Sequence, residues 1–176
     1  MERRTQLLLV PLRLFLGVTF LYAGLQKFLD PGFLHAGSPT YIGTQLEGFA
    51  RATPAAPLMR VLEHVPWLAG IGVAVTEIAV GIAVLAGIGL ITASVIGMSI
   101  NLVLWLSATW HVHPYFLGSD SIYAVAWLAL EAIFFGVGSL HLAVLGSGFA
   151  LGWLISGVFD ANTTTTVLVG IGCAIA

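Results

Sequence analysis

Charged residues are scarce in this sequence. Lysine, arginine, aspartate and glutamate make up 8% of its 176 residues, and the formal net charge is −2 at pH 7. In soluble globular domains about a quarter of the residues are charged. A sequence with 59% hydrophobic residues and so few charges is therefore not that of a water-soluble domain. It also contains no basic tract, so we predict no nucleic-acid partner.

Cysteine occurs once, at Cys173. A single thiol excludes an intrachain disulfide and a Cys-x-x-Cys pair, and with them a membrane-embedded dithiol oxidoreductase. The apolar stretches also lack the two facing histidines at matched depth that a bis-histidine haem needs. His111 and His113 lie two positions apart in a loop, where such a pair is usually solvated. The sequence therefore predicts neither haem nor a bound metal.

Long apolar stretches are what the sequence does contain. Each has about the 17–25 residues that a helix needs to cross the hydrocarbon core of a bilayer. The four stretches are Leu7–Phe28, Trp67–Leu90, Thr92–Ala108 and Ile122–Leu145. We predict an all-α fold, a polytopic membrane four-helix bundle formed by residues 1–145 as one domain. Residues 146–176 are apolar but interrupted, and we predict an interfacial segment there or the start of a further span.

The orientation in the membrane follows from the distribution of arginines. Arg3 and Arg4 precede the first apolar stretch, and the positive-inside rule then predicts a cytoplasmic N-terminus. We expect a multi-pass protein of the cell membrane with residues 29–66 outside the cytoplasm. Within that segment, residues 40–51 place apolar side chains three and four positions apart, which predicts a short interfacial helix. An ordinary ordered loop is the alternative.

Ionisable side chains inside a span are rare and costly in free energy, so each one indicates a function. The predicted spans contain Arg13, Glu77 and Glu131, together with the amide of Asn101. All four lie near mid-depth when helices are counted at about 1.5 Å per residue. We therefore predict an Arg13–Glu77 ion pair, with hydrogen bonds from Asn101. Glu131 then lacks a basic partner and is a candidate proton carrier. Alternatively, the ion pair only fixes the helix register.

A second polar group is predicted at the outer mouth of the bundle. In the assumed orientation Lys27, His113 and Asp120 reach the same side of the membrane, and we include them among the candidate cofactor-binding residues. Two ordinary interpretations stay open. Asp120 could instead cap the helix that follows it, and the aromatic residues around His113 are typical of an interfacial belt.

Several of these motifs together resemble a known family. The segment Leu12–Phe28 carries an arginine near its start and closes on Gly-x-x-Lys, the second span has Glu-x-x-x-Gly from Glu77, and the third has Gly97 and Asn101. With the loop Pro114–Asp120, they resemble DoxX-type membrane proteins, most closely the DoxD branch, described as the small subunit of thiosulfate:quinone oxidoreductase. The resemblance covers most of the chain. It implies a four-helix subunit that works beside a quinone pool in sulfur-compound oxidation or thiol-linked redox defence.

Two functions are favoured on this basis over a third, a small transporter or channel, because the sequence has no internal repeat and no span broken by proline. In the first, the chain is a membrane subunit of a quinone-linked oxidoreductase, which binds a quinone headgroup near Arg13, Glu77 and Asn101 while Glu131 manages protons. In the second, it is a non-catalytic anchor or assembly subunit that docks a redox partner. The sequence contains no evident electron carrier. The predicted partners are therefore the lipid bilayer, a quinone, and a second redox subunit or further copies of the chain.

Overall fold

The computed structural model describes residues 9–135, and it describes their side chains as far as Leu130. This part of the chain contains six α-helices, one short 3-10 helix and no strand, which confirms the predicted all-α class. The helices are α1 Val10–Leu29, α2 Ile42–Phe49, α3 Ala56–Leu62, α4 Pro66–Ala86, α5 Leu90–Trp105 and α6 Ser119–Phe135, and the 3-10 helix is Tyr115–Leu117. The predicted C-terminal segment, residues 146–176, lies outside the described residues.

Two of the described helices, α1 with 20 residues and α4 with 21, are long and apolar enough to cross a bilayer. Helix α5 and the described start of α6 are apolar but shorter. The 16 residues of α5 rise roughly 24 Å, which is less than the hydrocarbon core of about 30 Å. The outward face of α1 carries Leu14, Val18 and Tyr22, each more than half exposed. Such a contiguous apolar face is unfavourable in water and suits contact with lipid.

Helices α1 and α4 form the most extensive helix pair of the described chain, and they run antiparallel with their backbones in contact. A Cβ atom at Gly24 would lie 2.6 Å from the carbonyl oxygen of Ala74, and one at Gly81 would lie 2.6 Å from the amide nitrogen of Leu21. Close packing through small residues is what drives helices together in lipid. The glycines therefore fix both the separation and the register of this pair.

Residues of α1, α4, α5 and α6 share one apolar core. Trp127 of α6 is fully buried, and its ring packs edge-on against Phe20 of α1, with ring centroids 4.8 Å apart. A Cβ atom at Gly97 of α5 would lie 2.5 Å from the same indole. Val80 and Val84 bring α4 into this cluster. Large and small residues from different helices thus fill the interior together.

The turn between α4 and α5 begins earlier than the sequence predicts. Gly87 (φ 76°) closes α4 and Gly89 (φ 57°) precedes α5, and both adopt the left-handed conformation that glycine tolerates. The amide of Ile88 donates to the carbonyl of Ala83 at 2.9 Å. Helix α4 therefore ends at Ala86, not at the predicted Leu90, because hydropathy does not register a pair of left-handed glycines inside an apolar run.

The segment between α1 and α4 folds into a helical hairpin, α2–α3. The short helix that the sequence predicts in this segment is present as α2, with Ile42 and Leu46 buried. The sequence does not predict α3, since its prolines indicate breaks. However, Pro57 lies in the first turn of α3, where a missing N–H costs no hydrogen bond. The hairpin forms a second apolar core against the start of α4 and the end of α5.

Candidate functional site

The principal polar feature of the described chain is an ion pair between α1 and α4. The Nζ atom of Lys27 lies 2.6 Å from Oε2 and 2.9 Å from Oε1 of Glu77. Glu77 stands in the middle of α4 and is 4% exposed, whereas Lys27 is close to the end of α1 and half-buried. A charged pair at this depth in an apolar helix carries a large desolvation penalty, so it marks a functional candidate.

The geometry of the pair follows from the glycine contact between the two helices. Gly24 allows α1 to touch the backbone of α4 at Ala74, one turn from each charged residue. The side chain of Lys27 runs back along its own helix, because its Nζ also approaches the carbonyl oxygen of Ala23 at 3.4 Å. Side chains on a helix point towards its N-terminus. Lys27 therefore reaches a level deeper than that of its own Cα atom.

The predicted Arg13–Glu77 ion pair is wrong. Arg13 donates from Nε at 3.2 Å and from Nη2 at 3.0 Å to the carbonyl oxygen of Val84, in the last turn of α4. The contacts of Gly17 with Gly81 and Leu85 set an antiparallel register in which Arg13 meets the end of α4. The prediction estimated the depth of Arg13 from the ends of the apolar stretches, and this estimate placed Arg13 about two helical turns too close to Glu77.

Substitution of Arg13 by methionine is expected to lower the free energy of unfolding by about 1.5–3 kcal/mol, the usual contribution of hydrogen bonds from a charged donor. The guanidinium also interacts favourably with the negative end of the α4 dipole. Equilibrium unfolding of the purified chain in detergent measures the change. Arg13→Lys is the matched variant. It keeps the positive charge but cannot donate two hydrogen bonds from adjacent nitrogens, so we expect a loss of stability between those of wild type and Arg13→Met. A loss below about 0.5 kcal/mol for Arg13→Met would contradict a capping role.

Asn101 is buried in α5, as expected for a residue in a span, but its amide bonds locally. The Nδ2 atom donates to the carbonyl oxygen of Gly97 on the same helix at 3.0 Å. Gly97 and Asn101 share the face of α5 that packs on Trp127. The predicted hydrogen bonds from Asn101 to an Arg13–Glu77 pair are therefore not formed.

Asp120 is a second carboxyl group that lies within electrostatic range of Lys27. It lies in the first turn of α6, which begins at Ser119, so it stands inside the helix and not at the predicted cap position. Its carboxyl group is partly buried, and the positive charge of Lys27 acts on it. The Lys27 ammonium thus acts on two carboxyl groups, one from α4 and one from α6. The sequence groups Lys27 and Asp120 among the candidate cofactor-binding residues, and that role stays a prediction.

Two other predicted site residues lie elsewhere. His113 is exposed in the loop between α5 and α6, and the neighbouring His111 places Nε2 3.2 Å from the carbonyl oxygen of Arg51. This contact ties the loop to the end of α2. Glu131 lies beyond the last residue whose side chain is described, so its predicted part in proton transfer stays a prediction.

The site that emerges consists of Lys27, Glu77 and Asp120, which we call the Lys–carboxylate site. The sequence identifies all three residues but assigns the partner of Glu77 wrongly. Matching Gly17 and Gly24 of α1 with the small residues Ala74 and Gly81 of α4 would have given the register. Chemically, the site offers an ammonium that donates hydrogen bonds beside carboxyl groups that can hold a proton.

Comparison with known proteins gives one finding. The model of a family described as "TQO small subunit DoxD" matches residues 8–144, about three quarters of the chain. No curated protein and no solved structure matches the chain significantly. The matched range includes α1 to α6 and all three residues of the Lys–carboxylate site.

Proposed function

The chain belongs to the DoxD family of membrane proteins, and from this premise we propose that it is the membrane subunit of a thiosulfate:quinone oxidoreductase-like enzyme that binds a quinone headgroup at Lys27 and Glu77. In this proposal α5 and α6 cross the membrane with α1 and α4, and the N-terminus is cytoplasmic. The α2–α3 hairpin then lies on the outer side, where a second redox subunit would dock. The observation that carries the proposal is the buried ion pair inside an apolar helix.

The donor set of the site fits a quinone, whose carbonyl oxygens accept hydrogen bonds. Two of the Lys27 contacts, those to Glu77, are short and charge-assisted. The third, to the carbonyl oxygen of Ala23, measures 3.4 Å, longer than the usual range of about 2.7–3.2 Å. This N–H can turn to a carbonyl oxygen of a ligand while the ion pair with Glu77 stays intact.

The carboxyl groups can supply the protons that a quinone takes up on reduction. A quinone takes up two protons and two electrons when it is reduced, and the electrons come from the sulfur compound that the enzyme oxidises. Glu77 can hold a proton on Oε1 or Oε2 beside the bound ring. Asp120, in the first turn of α6, is the group that would pass a proton to this position from the aqueous side. Arg13 has a capping role in this proposal.

A second candidate function is a non-catalytic anchor, and one observation favours it. Nζ of Lys27 contacts both carboxylate oxygens of Glu77 at the point where α1 and α4 are in closest contact. A buried ion pair in such a position can serve only to fix the register of two helices.

Titration of the purified full chain in lipid nanodiscs with a quinol analogue tests the first function. We expect Glu77→Gln to weaken binding about ten- to hundredfold, because a charge-assisted hydrogen bond contributes about 1.5–3 kcal/mol. Arg13→Met is the control, with wild-type affinity expected. Equal affinity in wild type and Glu77→Gln would reject the quinone site and favour the anchor.

A further inference from the structure

An apolar cavity of about 260 Å³ lies between the α2–α3 hairpin and the pair α4 and α5. Ile42, Leu46 and Met59 form its hairpin wall, and Val73 and Val103 belong to the opposite wall. These hairpin residues are among the most buried of the chain. The cavity therefore borders the second core and is open along one side, where Ser99 is exposed.

The wall of the cavity offers a ligand almost only hydrocarbon contacts. Its two hydroxyl groups are already engaged on their own helix: Ser99 donates to the carbonyl of Val95 at 2.8 Å, and Ser107 donates to that of Val103 at 2.6 Å. A polar ligand would lose its hydration in this cavity without gaining partners. The occupant that fits is consequently a hydrocarbon chain.

The size of the cavity limits the length of that chain. An apolar protein cavity of about 150 Å³ accommodates benzene, with its six carbon atoms. A cavity of about 260 Å³ therefore holds roughly ten carbon atoms at the same packing. Ten carbons correspond to two isoprene units.

The cavity lies close to the ion pair, and this position favours the tail of a quinone over the acyl chain of a lipid. Val73 in the wall and Glu77 in the ion pair are four residues apart on α4 and so lie one turn from each other on the same side of the helix. A lipid acyl chain that entered from the bilayer would end with its methyl group against a charged pair, which is unfavourable. A prenylated quinone places its polar ring at that point and its tail in the cavity.

From this proximity we propose that the cavity binds the first two isoprene units of the tail of a membrane quinone, and that it sets the direction from which the ring reaches Lys27. The inference rests on the proposed function, because the same site holds the ring. In lipid, a tail gains little by leaving the bilayer, so its contribution is close packing and orientation of the ring.

The test compares two probes on the full chain in nanodiscs: a quinone with a two-isoprene tail and the same ring with a methyl group instead. Val73→Phe fills the cavity, and Val103→Phe fills it from the other wall in case the first variant does not fold. The control is Val75→Phe, because Val75 is exposed on the outer face of α4. We expect both filling variants to bind the prenylated probe about tenfold more weakly than wild type, which corresponds to about 1.4 kcal/mol. Affinity for the ring alone and affinities of Val75→Phe should not change.

Unchanged affinity for the prenylated probe in both folded filling variants would overturn the inference, and so would an equal loss for both probes. Native mass spectrometry tests whether a lipid occupies the cavity instead. A phospholipid that binds wild type but not the filling variants, and that the prenylated quinone does not displace, would show that an acyl chain occupies the cavity. If the ring alone binds wild type and Glu77→Gln equally while the filling variants still weaken the prenylated probe, the proposed ring site fails and the tail site stands.

Discussion

Replacement of Lys27 by methionine is expected to lower the free energy of unfolding by about 3–5 kcal/mol, because it leaves the carboxylate of Glu77 buried without its partner. Glu77 is only 4% exposed, and both of its oxygens accept hydrogen bonds from Nζ of Lys27. Equilibrium unfolding in detergent gives the difference from wild type. This is the largest effect that we expect from any single polar substitution in the described chain.

The double variant Lys27→Met with Glu77→Leu separates the two contributions to this effect. Replacing a whole buried ion pair by apolar residues of similar volume is often neutral or stabilising. We therefore expect the double variant to recover most of the stability that the single variant loses. A Lys27→Met variant that loses less than about 1 kcal/mol would show that Glu77 finds another partner or becomes neutral at little cost.

Two glycines of α4 should respond in opposite directions to the same substitution. A Cβ atom at Gly81 would lie 2.6 Å from the amide nitrogen of Leu21 and 2.8 Å from the carbonyl oxygen of Gly17. Both are backbone atoms of α1, so no side chain can move away and the helices must separate. Gly81→Ala is therefore expected to lower the free energy of unfolding by about 3 kcal/mol, at the upper end of overpacking costs.

Gly72 is the matched control on the same helix, since a Cβ atom there would meet no atom within 4 Å. Alanine favours the helix over glycine by up to about 1 kcal/mol, so Gly72→Ala should leave stability unchanged or raise it. Thermal unfolding of both variants in the same detergent measures the pair. Equal transition temperatures for the two variants would mean that α1 and α4 are not held in backbone contact at Gly81.

The all-α fold can be predicted from the sequence because apolar stretches of such length have few alternatives. The ends of the helices cannot be predicted in the same way. At Gly87 and Gly89 the chain turns through left-handed conformations within an apolar run, and at Pro57 a residue that usually ends a helix begins one. Both outcomes depend on the local backbone conformation and not on how apolar the surrounding stretch is.

The candidate site, too, can be predicted from the sequence only in part. Because burying charge is costly, the sequence correctly indicates that Glu77 needs a basic partner. It does not decide between Arg13 and Lys27, since that choice depends on the register of α1 against α4. Packing through Gly24 and Gly81 sets this register, and a shift of two turns exchanges the partners.

In the proposed function, the Lys27–Glu77 pair binds a quinone in addition to joining two helices. Quinol-analogue titration of the Lys27→Met, Glu77→Leu double variant tests it most directly, because the helix contact survives in that variant while the ligand's polar partners are removed. We predict a stability within about 1 kcal/mol of wild type and an affinity at least tenfold lower. A stable double variant that binds the analogue as wild type does would contradict the account and leave the pair a purely structural role.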